Sequence, residues 1–129
     1  MITELTRMWL TRSTKPFLFK KEYDQELPFS DCDGLGLYVH IPFCRSICSF
    51  CPYCKTLYSE EACSRYIDAL IREIHLAGSQ IPGKKTVTSL YFGGGTPALA
   101  ADRIKEIIDA IQEHFIITQG IGIELHPEN

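Results

Sequence analysis

Four of the six cysteines crowd between positions 44 and 54, as Cys44, Cys48, Cys51 and Cys54. Thiols two or three residues apart staple distant segments poorly, so a disulfide framework explains them badly. Metal or iron–sulfur ligation explains the crowding better. The remaining composition supports a packed core. The chain has 129 residues, 45% hydrophobic and 22% charged, which fits one ordinary domain or a piece of a larger one. Thirteen Lys+Arg against sixteen Asp+Glu leave a net charge of −3, which argues against a nucleic-acid partner. No apolar run approaches the roughly 18 residues of a membrane span. The start, Met1 to Arg7, has no basic stretch followed by an apolar one, so no secretory leader is expected. A cytoplasmic protein with no membrane partner is the expectation.

The cysteines interrupt a regular succession of elements. Leu35, Leu37, Val39 and Ile41 alternate with Gly36, Tyr38 and His40, which predicts a strand. Pro42 ends it, and a loop follows from about Phe43 to Leu57. Ser59 suits a helix N-cap, with Glu60 and Glu61 in the first turn. Cys63, Tyr66 or Ile67, Leu70, Ile74 and Ala77 recur at helical spacing, and Gly78 is the expected stop. Thr86 to Phe92 predicts a second strand, running into Gly93-Gly94-Gly95-Thr96-Pro97. A second helix is expected from about Ala100 to Phe115, with Ile104, Ile107, Ile108 and Ile111 on one face. A third strand is expected from Ile121 to Leu125. Residues 1–34 predict an extended arm wrapping the domain.

The order β-α-β-α-β predicts an α/β fold with parallel strands. Ligands of such sheets gather at the carboxyl ends of the strands. The cysteine loop follows strand one and the glycine run follows strand two, so both can face one ligand.

Cys44-x3-Cys48-x2-Cys51 can hold three irons of a [4Fe–4S] cluster, leaving the fourth iron for another ligand. Zinc competes, although four-cysteine zinc sites usually draw pairs of ligands from two separate knuckles. An electron-carrying ferredoxin competes too, but its proline follows the last cysteine, whereas Pro52 follows the third here. Gly93, Gly94 and Gly95 either allow a ligand to approach the backbone or merely form a tight turn. No Gly-Lys-Ser/Thr follows, so this is not a phosphate loop. Glu124 alternates with Ile123 and Leu125. If those two pack under helices, Glu124 faces the interior and needs a partner; otherwise it is a surface carboxylate. Tyr38 shares the interior-facing logic. His40 reads as structural, Phe50 as a shield or core residue, Arg45 as tuning or merely solvated, and Cys63 as core.

The segment Tyr38-Val39-His40-Ile41-Pro42-Phe43-Cys44-Arg45-Ser46-Ile47-Cys48-Ser49-Phe50-Cys51 resembles the radical S-adenosylmethionine (SAM) enzymes of the oxygen-independent coproporphyrinogen III oxidase group. That group also contains heme chaperones and heme-processing methyltransferases. The resemblance extends through Gly93-Gly94-Gly95-Thr96-Pro97 and Ile123-Glu124, over about residues 35–129. It implies the first βα units of a partial (β/α)6 TIM-like barrel, so the chain looks like the amino-terminal part of a longer enzyme. It implies a [4Fe–4S] cluster on Cys44, Cys48 and Cys51, and SAM held near Tyr38, Gly93, Gly94, Gly95, Thr96 and Glu124. The reaction implied is cleavage of SAM to methionine and a 5′-deoxyadenosyl radical, which abstracts hydrogen from a porphyrinogen or heme. An electron donor such as flavodoxin or ferredoxin follows from that chemistry. One departure stands out: the oxidases place a fourth cysteine two residues after the third, where this chain has Tyr53, with Cys54 next to it.

Overall fold

A computed structural model describes residues 5–6, 8–9, 12 and 32–127, so the expected arm over 1–34 lies almost wholly outside the described residues. The elements are β1 (Leu35–Ile41), β2 (Phe43–Cys44), β3 (Thr56–Leu57), α1 (Glu60–Ser79), β4 (Lys85–Gly94), a 3₁₀ helix (Pro97–Arg103), α2 (Ile104–His114), β5 (Phe115–Ile117) and β6 (Ile121–Ile123). β4 is the central strand. It pairs in parallel with β1 on one side and with β5 and β6 on the other. Among the described residues, no helix is long and apolar enough to cross a membrane.

Side-chain periodicity accounts for the layers. The alternate residues Val39 and Ile41 of β1, with Val87, Leu90 and Phe92 of β4, are buried against Cys63 and Ile67 of α1 and Ile107 and Ile111 of α2. Both helices thus cover one face of the sheet. α1 starts as expected: the Ser59 side chain accepts from the Ala62 N–H at 3.2 Å, and Glu60 and Glu61 occupy the first turn. It continues through Gly78 to Ser79, because Gly78 is buried between the helices rather than ending one. Arg103 ties the helices together, bonding Ser64 and Asp68 of α1 and Glu106 of α2.

Four further expectations need correction. The helix expected from Ala100 starts as a 3₁₀ turn at Pro97 and becomes α-helical only at Ile104; proline favours a first helical turn. It stops at His114, and Phe115 opens β5 instead of closing the helix. The strand expected over Ile121 to Leu125 is shorter, Ile121–Ile123. The cysteine loop is pinned by β2 and β3, which pair Phe43 with Thr56 and Cys44 with Leu57.

One irregularity sets the opposite face of the sheet. Leu35 pairs with Val87 but Gly36 with Ser89, so β4 carries an extra residue at Thr88. Such a bulge reverses the alternation beyond it. Val87 and Leu90 therefore both face the helices, and Tyr91 and Gly93 turn to the side of Tyr38.

Candidate cofactor site

The cysteine loop leaves β1 at Pro42 and returns at Thr56. Its ends are joined by hydrogen bonds from the Thr56 N–H to the Pro42 carbonyl (2.7 Å) and from the Tyr58 N–H to the Cys44 carbonyl (2.9 Å). Inside the loop, the Cys51 N–H donates to the Cys48 carbonyl (3.3 Å), and the Lys55 ammonium donates to the Cys51 carbonyl. His40 holds the loop from below. Its Nε2 lies 3.0 Å from the Cys54 carbonyl, which can only accept, so Nε2 carries the proton. Nδ1 is then the acceptor facing the Tyr38 hydroxyl at 3.4 Å. The Tyr66 hydroxyl donates to the His40 carbonyl (2.7 Å) and its ring meets Phe43 edge-on at 5.5 Å. His40 is thus structural, as expected, and its work is to anchor the cysteine loop.

The glycine run lies against that loop. The Gly95 N–H donates to the Ile41 carbonyl (2.8 Å) and the Thr96 N–H to the Phe43 carbonyl (2.7 Å). A Cβ on Gly95 would come within 2.5 Å of the Phe43 oxygen and 2.7 Å of the Cys44 Sγ. Gly94 has φ +120°, and a Cβ there would meet the Ile41 oxygen at 2.8 Å. Only glycine meets both demands at Gly94.

Cys44, Cys48, Cys51, Gly94, Gly95 and Thr96 line one cavity of about 360 Å³, together with Arg45, Ser46, Phe50 and His126. All six cysteines are free thiols. Three soft donors and a side-chain-free wall suit a thiolate-bound iron–sulfur group. A single tetrahedral zinc would need its sulfurs within about 4 Å of one another. Among the described residues, the His, Cys, Asp and Glu donors that gather within 4.8 Å are elsewhere, at His75, Glu113 and His114.

Tyr38, Gly93 and Glu124 form an adjoining cluster. A Cβ on Gly93 would sit 2.8 Å from the Tyr38 ring and 3.1 Å from Glu124 Oε2. Glu124 accepts from the Gly94 N–H at 3.0 Å, and the Tyr91 hydroxyl reaches its other oxygen at 3.5 Å. Gly94 therefore joins the two clusters. Partial burial, reinforced by the Glu124 charge, pushes the Tyr38 phenol above its usual value. Ile123 and Leu125 do not pack under helices; they are 39% and 67% exposed. Glu124 is itself exposed, and hydrogen bonds rather than burial set its direction. Phe50, 86% exposed, lines the cavity and is not core. Cys63 is buried, and burial pushes its thiol upward in pKa.

Two residues at the site escape sequence reasoning. Tyr91 stacks on Tyr38 at 6.3 Å and 16°, but plain alternation from Val87 sends Tyr91 to the other face. The polar pair Thr88-Ser89 was the available hint of a bulge. His126 reaches the cavity from beyond the last strand, and no spacing rule marks it.

No family model matches the chain. Among curated proteins it is 44% identical over 79 residues to the anaerobilin synthase of Escherichia coli O157:H7, covering 60% of this chain and 18% of that one. It is 34% identical over 99 residues to the oxygen-independent coproporphyrinogen III oxidase of Pseudomonas aeruginosa, covering 72% and 22%. Among solved structures, Escherichia coli coproporphyrinogen III oxidase, described as a radical SAM enzyme, superposes with a TM-score of 0.65 at 34% identity, covering 72% and 22%. The chain belongs to the radical SAM group of the oxygen-independent coproporphyrinogen III oxidases. The parallel α/β unit is accordingly part of a radical SAM partial barrel. The heme chaperone HemW of Mycobacterium tuberculosis is a further relative, 31% identical over 100 residues, covering 73% and 25%. The chain spans a quarter or less of the length of these relatives.

Proposed function

We propose that this segment is the cluster-binding part of a cytoplasmic radical SAM oxidoreductase of porphyrin metabolism, similar to coproporphyrinogen III oxidase. Its support is the seating of Gly95 against Cys44, which sets a side-chain-free wall beside the thiols. Cys44, Cys48 and Cys51 would hold a [4Fe–4S] cluster, and Cys54, whose carbonyl is taken by His40, stands outside the trio. When bound, the cluster and SAM would supply one-electron cleavage of the sulfonium and removal of hydrogen from the substrate.

The chain's own residues do the positioning. The Gly93–Gly95 backbone, free of side chains, leaves room for the amino and carboxylate groups of a methionine moiety. Glu124 is acceptor-only when ionised, so it attracts a ligand ammonium while steadying the Gly94 N–H. Tyr38 lies against Gly93, and Thr96 lines the cavity beside Gly95. Phe50 and His126 line the cavity and would limit water once a ligand fills it. Because the chain spans so little of its relatives, the isolated segment should turn over slowly or not at all.

Anaerobic reconstitution with iron and sulfide tests the reading. A brown protein with about four irons per chain is expected. Its EPR signal after dithionite reduction should shift on adding SAM. Cys44→Ala, Cys48→Ala or Cys51→Ala should abolish it, and Cys54→Ala should not. Retention of the signal in the first three variants would overturn the assignment.

A heme chaperone is the second reading, favoured by the relative of that name. Heme titration separates it. Saturable binding of one heme, with no SAM-dependent change at the cluster, would select the chaperone.

A further inference from the structure

On the helical side of the sheet, away from the cysteine loop, three donors converge from α1 and α2. His75 Nδ1 lies 3.0 Å from His114 Nε2 and 3.7 Å from Glu113 Oε2. All three donor atoms lie within 4.8 Å of one another. The two rings meet edge-on, 5.3 Å apart at 73°, so their nitrogens approach each other rather than stacking face to face. The α1 backbone makes room for this arrangement. Gly78 lies in the last turn of α1 and is buried there. A Cβ there would stand 2.2 Å from His114 Cγ. The glycine therefore lets the imidazole of His114 lie against the helix, in reach of His75.

We propose that His75, Glu113 and His114 form a surface site for a divalent transition ion, zinc above all. Two imidazoles and one carboxylate are donors that zinc accepts, with water completing a tetrahedron. Zinc–nitrogen bonds of about 2.0–2.1 Å put tetrahedral ligand atoms about 3.3 Å apart. The observed 3.0 and 3.7 Å bracket that spacing, and Glu113, the most exposed of the three, can make the adjustment. In the metal-free pair, one imidazole proton lies between Nδ1 and Nε2. On binding, that proton moves to the outer nitrogen of the same ring, both inner lone pairs go to the metal, and no redox change occurs. Such an ion would clamp α1 to α2 independently of the cysteine loop, so this site stands whether or not the proposed activity does.

Zinc titration of the 129-residue chain with Cys44, Cys48 and Cys51 all changed to serine tests the site without competition from those thiols. Calorimetry should give one zinc per chain, with a rise in melting temperature. Side-chain ¹⁵N NMR should show the His75 and His114 nitrogens shifting, while His40 and His126 stay put. His75→Ala or His114→Ala should weaken binding by at least the roughly 10–100-fold that loss of an outer-shell partner costs, and abolish the thermal shift. Glu113→Gln should weaken it less. If the serine background does not fold, the same histidine variants in the unaltered chain should each lose one zinc equivalent while the thiolate-bound metal remains. Zinc binding that ignores His75 and His114, shifts confined to His40 and His126, or no binding at all would overturn the proposal.

Discussion

Gly95 sits so close to Cys44 that a single methyl group on it would lie 2.7 Å from the Cys44 Sγ. The same methyl would stand 2.5 Å from the Phe43 carbonyl oxygen, which is backbone and cannot rotate away. Gly95→Ala should therefore push the glycine run off the cysteine loop. Overpacking of this kind costs about 1–3 kcal/mol. Urea denaturation should show that loss, and iron incorporation on reconstitution should fall with it. Wild-type values for both would contradict the close approach.

His40 and Tyr66 are predicted to hold the loop in place rather than to touch a cofactor. Tyr66→Phe removes the bond to the His40 carbonyl and should cost about 1 kcal/mol. His40→Ala frees the Cys54 carbonyl and should speed amide hydrogen exchange across residues 51–56. An unchanged exchange pattern would count against the anchor.

Ile67 is fully buried between the sheet and α2. Ile67→Ala should destabilise the chain by about 2–5 kcal/mol, through lost burial and an unfilled cavity. Chemical denaturation midpoints measure this directly. Exposed Leu76→Ala should change stability by less than about 0.5 kcal/mol and serves as the control.

Cys63 should be the last thiol to react. Burial raises its pKa, so the folded state favours the neutral thiol. The stability this contributes is complete below the ordinary thiol range. It falls as pH rises through that range toward the raised value, because only the unfolded chain ionises freely. Iodoacetamide labelling at pH 8 followed by peptide mass mapping should modify exposed Cys32, Cys48 and Cys54 first and Cys63 only under denaturant. Equal labelling of Cys63 would show that the helix does not bury it.

Local chemistry made much of this readable in advance. The period-two residues of Leu35–Ile41, the Ser59 cap and the apolar stripe from Cys63 to Ala77 each depend on near neighbours. The cysteine spacing and the glycine triplet are likewise runs of adjacent residues, so a linear reading finds them. The ends of α2 were harder. Phe115 continues the apolar stripe of that helix, yet the edge of β4 at Lys85 offers it a hydrogen-bonded partner, and pairing overrides periodicity.

Residue order was therefore enough to specify two helices alternating with parallel strands, though not the short strands β2, β3 and β5. What it could not specify was which groups meet. The extra residue at Thr88 turns Tyr91 toward Tyr38. The crossing of α1 and α2 brings His75, Glu113 and His114 together from positions 39 residues apart. Both outcomes depend on long-range packing, in which one added residue reverses a face and one missing side chain admits a ring. No rule based on neighbouring residues contains those distances.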